Sequence, residues 1–271
     1  MRWRVAPGAR PPLVGEVLVV LALVFVYDRV RDVAATRAGE AISNARRLQS
    51  VEQWLHLDVE RALNSALAQH RATELATSWY YQTMHLTVTL LVLLWVYRCR
   101  ARLYRPARNA LVAVNALALL VFWAFPVAPP RLVPGSAFVD SAVVTGVAAR
   151  STTLTPDVFA AMPSLHVAWA TWVVLQVLGG TRHRWARGLA SAHLLLTCVI
   201  VLATANHYVL DVAGGAGLCL LVQRGVGRWP PSDVSFGHGE PARGGGRRPD
   251  REAAGVRLAR ERPPRDVGAP G

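Results

Sequence analysis

The chain has 271 residues, of which 52% are hydrophobic and only 17% charged, and its formal net charge is +13. Its apolar residues fall in blocks about as long as a bilayer is thick, roughly 17 to 25 residues, which excludes a soluble globular protein in favour of an integral membrane one. The arginines stand between those blocks and in a terminal tail, with no zinc-ligand pattern or aromatic-basic sheet motif, so the charge reads as membrane orientation and nucleic acid is excluded as a partner.

Met1 to Arg10 is basic and leads into the segment Leu13 to Val30. That segment is long for a signal core, lacks a small-residue cleavage site and contains Glu16, so an uncleaved first transmembrane helix is expected. Apolar runs predict six spans, at about 12–29, 79–97, 109–127, 163–179, 187–205 and 207–224, and none alternates as a barrel strand would. Between the first two, Leu48, Val51, Leu55, Val59, Leu63 and Leu67 recur at three- and four-residue steps among Arg46, Arg47, Glu52, Asp58, Glu60 and Arg61. This predicts an amphipathic helix, lying flat on the interface or packed over the mouth of the bundle.

Two loops set the orientation. Arg98, Arg100, Arg102, Arg105 and Arg108 form one without any acid, and Arg182, Arg184 and Arg187 lie in the other. Both belong in the cytoplasm by the positive-inside rule. An even number of spans then places both termini inside a plasma membrane and exposes 30–78, 128–162 and the turn Thr204 to His207 outside. After Gly225 the composition becomes Gly, Pro, Arg and acids, as in a disordered tail. The predicted fold is all-α: a polytopic membrane bundle of six transmembrane helices plus an amphipathic interfacial helix. Its predicted divisions are 1–78, with the first span and the amphipathic helix, a catalytic core at 79–224, and a basic cytoplasmic tail at 225–271.

On the outer face this topology gathers Arg131, from Ala128-Pro129-Pro130-Arg131-Leu132, Ser164 and His166, from Pro163-Ser164-Leu165-His166, and the run Asn206-His207-Tyr208-Val209-Leu210-Asp211. Ionisable groups at a membrane position are costly and mark function. If 207–211 is helical, His207 and Asp211 share a face, and the carboxylate can fix the imidazole tautomer, leaving the other nitrogen as base or nucleophile. His166 comes from another helix and can serve as acid. Arg131 offers a fork of donors matched to phosphate oxygens, and Ser164 adds a hydroxyl at a helix start where anions are favoured. No lysine occurs, so each cationic side chain is a guanidinium. These parts point to a phosphate ester. His193 and His183 read as packing and solvated residues, and Cys99, Cys198 and Cys219 form neither a disulfide framework nor a metal spacing.

Pro-Ser-Leu-His followed by His-x-x-x-Asp resembles the type-2 phosphatidic acid phosphatase superfamily. Ala-Pro-Pro-Arg-Leu, Pro-Ser-Leu-His-x-x-x-Ala and Asn-His-Tyr-x-x-Asp resemble its inositol phosphorylceramide synthase-like branch, over about 79–222. The resemblance implies that His207 is the phosphorylated nucleophile, Asp211 orients it, His166 protonates the leaving alcohol, and Arg131 and Ser164 bind the phosphoryl group. Tyr81 and His85 resemble a tyrosine–histidine pair of that branch and are expected, with Asn206, at the substrate. The lysine ahead of the arginine and the Ser-Arg pair usual in lipid-phosphatase branches are absent, Ile200 and Val201 standing in the latter region. The implied partners are a lipid phosphate or phospholipid, an inositol or sugar acceptor and the membrane, with no cofactor and no metal. The rival readings are a haem- or ligand-binding protein using His166 and His207, a metal-dependent hydrolase, and an inactive scaffold.

Overall fold

A computed structural model describes residues 11–146 and 159–225, all within Met1–Ser232, the first of two units into which the chain divides. In chain order the helices are α1 (Leu13–Ala35), α2 (Ala38–Trp54), α3 (Glu60–Ala68), α4 (Arg71–Cys99), α5 (Ala101–Ala124), a 3-10 turn (Pro130–Leu132), α6 (Ser141–Val144), α7 (Leu165–Gly180), α8 (Arg184–Ala203) and α9 (Val209–Gly225). Among the described residues the only β-type pairing is a single parallel bridge between Val127 and Ala160. The chain is all-α. The tail expected after Gly225 lies outside the described residues.

Two of these helices, α5 with 24 residues and α8 with 20, are long and apolar enough to cross a membrane. They rise about 36 and 30 Å, against a hydrocarbon layer of about 30 Å. Leu117 and Leu120 of α5 and Leu195, Leu196 and Val199 of α8 are exposed, and faces of that kind fit lipid or another protein. Helices also stand at the other four predicted spans, α7 and α9 being shorter, with 16 and 17 residues.

The centre of the bundle is α7, which packs against α4, α5, α8 and α9. Its Trp172 is fully buried and donates its indole N–H to the Ala107 carbonyl at 2.9 Å, so a large side chain enters the core with its polar atom satisfied. Of Gly214, Gly215 and Gly217 in the last helix, only Gly215 is required by close packing. A Cβ there would collide with the Ser164 carbonyl, whereas Gly214 would meet Pro163 at an ordinary 3.6 Å and Gly217 nothing. Small residues at helix contacts let backbones approach in this way.

The segment predicted as one amphipathic helix is instead two, α2 and α3, broken by a turn in which His56 has φ of 56°. Its faces are also mixed: Arg46, Arg47, Asp58 and Arg61 are exposed and Leu67 is buried, but other polar side chains turn inward. Asn44, Glu52, Glu60 and Asn64 face inward and are buried, while Val51, Trp54, Leu55 and Val59 are exposed. Asn64 explains part of this: its amide donates to the Val139 and Ala203 carbonyls at 3.1 and 2.9 Å and accepts from Val139 N–H at 2.8 Å. Upstream, Arg37 donates to the Trp123 carbonyl, tying the α1–α2 turn to the end of α5.

Candidate active site

Backbone hydrogen bonds draw four helix ends to one end of the bundle. Val127, after α5, donates to the Phe159 carbonyl and receives from Ala161, both at 3.1 Å. Arg131 N–H reaches the Ala205 carbonyl at 3.1 Å, Ser164 N–H the Asp211 carbonyl at 3.0 Å, and His207 N–H the Val201 carbonyl at 3.2 Å. The C-terminal ends of α5 and α8 therefore meet the N-terminal ends of α7 and α9. Arg131, Ser164, His166, Asn206, His207 and Asp211 are carried on those ends.

His207 sits in the turn just ahead of α9 and is 4% exposed. Its Nδ1 lies 2.9 Å from the Ala161 carbonyl. A carbonyl only accepts, so Nδ1 carries the hydrogen and Nε2 keeps its lone pair. That Nε2 is buried and has no hydrogen-bond partner. Asp211 was expected to fix this tautomer; its Oδ2 stands 3.5 Å from Nδ1 and accepts Tyr208 N–H at 2.9 Å. The shorter contact is thus with main chain, and the carboxylate adds negative charge beside a ring that gains positive charge when Nε2 forms a bond.

His166 lies in the first turn of α7, its ring centre 5.8 Å from that of His207 and inclined at 62°. Tyr81 of α4 stacks on His166 at 4.2 Å, and His85, one turn further, meets it edge-on at 4.1 Å. His85 in turn donates Nδ1–H to the Tyr81 carbonyl at 2.9 Å. The tyrosine–histidine pair therefore packs on the second imidazole. His166 Nε2 is also buried without a partner. Ser164, fully buried, caps α7 by accepting Val167 N–H at 3.4 Å.

Arg131 is held from two sides. Its Nε donates to Asn206 Oδ1 at 2.9 Å and its NH1 to Asp140 Oδ2 at 2.6 Å, with the guanidinium side chain 5% exposed. Asn206 is itself fixed by donating to Thr204 Oγ1 at 2.9 Å. Asp140 uses its other oxygen to cap α6, accepting from Ala142 and Val143 at 3.1 and 3.3 Å. Sequence reasoning missed Asp140, although an aspartate ahead of Ser141-Ala142-Val143-Val144 carries the pattern of a helix cap.

Two further carboxyls were read only as part of a polar helix face. Glu52 accepts Leu210 N–H, in the first turn of α9, at 2.6 Å. Burial pushes Glu52 up to about 8, against the lowering effect of the Leu210 bond and with help from the nearby Glu60, whose own value burial also raises. No sequence signal marked either as inward-facing. Among the described residues no group of three His, Cys, Asp or Glu side chains is arranged to hold a metal ion.

Compared with known proteins, residues 46–224 match the family model of the PAP2 superfamily. No curated protein and no solved structure matches the chain.

Proposed function

From the premise that this chain belongs to the PAP2 superfamily, whose members are phosphatases and phosphotransferases, we propose that it cleaves a lipid or lipid-like phosphate ester through a phosphohistidine at His207. The observation that carries this reading is the unpartnered Nε2 of His207, its Nδ1 hydrogen tied to Ala161 and its ring beside that of His166. Nε2 attacks phosphorus in line as the bond from phosphorus to the ester oxygen breaks. His166, entering as the imidazolium, gives its proton to that departing oxygen. Asp211 compensates the positive charge on His207, while Arg131 and the N-terminus of α7 at Ser164 stabilise the equatorial oxygens. In the second half His166 takes a proton from water or an alcohol, whose oxygen attacks phosphorus; the phosphorus–nitrogen bond breaks and His207 is restored.

Transfer to an inositol-type hydroxyl is the finer form of this proposal. It is supported by the Ala-Pro-Pro-Arg-Leu and Asn-His-Tyr-x-x-Asp motifs at Arg131 and His207, and by the position of Tyr81 and His85 on His166, where an acceptor hydroxyl would have to approach. We further propose six spans in the plasma membrane, both termini cytoplasmic and the site on the outer face, with 79–224 as catalytic core. The lipophilic outer surface of α5 and α8 and the arginine loops support this arrangement. The exposed Val51, Trp54, Leu55 and Val59 support a position of α2 and the α2–α3 turn at the lipid interface.

The test supplies purified protein with labelled phosphatidic acid, phosphatidylinositol and prenyl diphosphates, with and without free inositol and with chelator. Release of inorganic phosphate marks hydrolysis, and a new labelled phosphodiester that appears only with inositol marks transfer. Turnover is expected to survive chelation; its loss would replace the phosphohistidine with metal chemistry.

A further inference from the structure

The mechanism above leaves unused a buried carboxyl that touches the nucleophile's own turn. Glu52 belongs to α2, 158 residues before Leu210, yet its Oε1 accepts Leu210 N–H at 2.6 Å. It is fully buried. The first N–H groups of a helix have no partner within it, and at α9 two carboxyls supply them: Asp211 to Tyr208 N–H, at 2.9 Å, and Glu52 to Leu210 N–H. Between them the two acids pin the turn that carries both His207 and Asp211. Glu52 Oε2, Asp211 Oδ1 and the Tyr208 hydroxyl are buried there without partners, an uncommon density of unsatisfied groups for a region that merely packs.

We infer that Glu52 is a positioning residue for phosphoryl transfer, setting the first turn of α9 and through it the placement of Asp211 against His207; this rests on the function proposed above. The titratable and charged groups that face it are Glu60 from α3, itself beside Arg61, Asp58 from the α2–α3 turn, and Asp211 and Tyr208 at α9. All but Arg61 are acidic. A second full negative charge at Glu52 would oppose a reaction that gathers charge on phosphate oxygens near Asp211. Burial keeps the carboxyl protonated up to about pH 8, so it can accept from Leu210 without adding that charge.

The experiment uses the full-length protein in lipid nanodiscs, with whichever of labelled phosphatidic acid, phosphatidylinositol or prenyl diphosphate it turns over. Glu52→Gln keeps an acceptor but cannot ionise. It is expected to hold kcat within about threefold at pH 7 and to lose the fall in kcat that the wild type shows on passing about pH 8. Glu52→Leu is expected to lower kcat by about 10- to 100-fold with KM changed less than about threefold. An alkaline fall that is absent from the wild type or shared by Glu52→Gln overturns the inference, as does a folded Glu52→Leu with wild-type kcat. Should Glu52→Leu not fold, the Glu52→Gln pH profile decides alone. His207→Ala, run in parallel, separates the two ideas. Activity in His207→Ala, or turnover of none of the three substrates, removes the phosphohistidine reading and this inference with it. An inactive His207→Ala beside a Glu52→Gln that follows the wild type at every pH removes the role of Glu52 alone.

Discussion

The two halves of the rim treat polar groups in opposite ways. On the arginine side, Arg131 is bonded to Asp140 and Asn206, Asn206 to Thr204, and Asn64 makes three bonds to main chain. On the histidine side, His166 Nε2, His207 Nε2, Asp211 Oδ1 and the Tyr208 hydroxyl are all buried with no partner. Leaving a buried polar atom unmet costs about 1 to 3 kcal/mol, so the fold spends stability on one side and recovers it on the other. One half is tied by hydrogen bonds; the other leaves buried atoms unpaired, as the proposed reaction requires.

That division can be broken most sharply at His207. Replacing it with alanine should reduce turnover by at least about a thousandfold in protein that remains folded, alongside a lowered unfolding midpoint from the lost ring and its bond to Ala161. A folded His207→Ala that keeps its turnover would make His207 a structural residue instead. Next in size is Gly215→Ala, which drives a methyl group into the Ser164 carbonyl at the seam between the halves. It should cost about 1 to 3 kcal/mol, seen as a lowered midpoint together with lost activity, whereas Gly217→Ala, with open space around it, should change neither.

On the arginine side, Asp140→Ala removes one of the two anchors of Arg131 and the cap of α6. We expect KM for the lipid phosphate to rise about three- to tenfold with kcat less affected, and Asp140→Asn, which keeps an acceptor, to be milder. An unchanged KM in Asp140→Ala would show that the ion pair does not orient the guanidinium. Last comes the pH dependence of stability set by Glu52. Folded, it holds its proton up to about pH 8, whereas a glutamate at its ordinary value of 4.5 has already released it. Raising the pH between those values therefore favours the unfolded chain, and the slope ends once both states are ionised. Over that window the wild-type midpoint should fall relative to Glu52→Gln, and parallel curves would place Glu52 in contact with water.

The two sides were also unequally legible in the sequence. His166, His207, Asp211 and Arg131 stood out in the sequence because each falls at the mouth of an apolar run, where an ionisable side chain is costly, and the structure carries all four on helix ends at one end of the bundle. Helices stand at every predicted span for the same reason: long apolar runs leave the backbone few alternatives. Glu52 and Glu60 were not legible. A three- and four-residue rhythm of leucine and valine marks a helix face but not which neighbour it meets, and here Val51, Leu55 and Val59 of that rhythm are exposed while Leu67, Glu52 and Glu60 are buried. Asp140 was hidden differently, its partner Arg131 being set by the 3-10 turn at Pro130–Leu132, whose direction no periodicity encodes. At His207 the Ala161 carbonyl joins Asp211 beside Nδ1, and it went unforeseen because a main-chain oxygen has no letter in a sequence.

That last point reaches beyond this ring. Since the hydrogen on Nδ1 is held by the Ala161 carbonyl, and Ala161 is strung to Val127 by the bridge after α5, a saturation scan at position 161 would record tolerance for any small residue. The oxygen that, under the proposed mechanism, would decide which nitrogen is nucleophilic is common to them all. Genetics would thus be blind to it, and only an edit of the peptide unit itself, or a shift of the segment that carries it, would reveal the control.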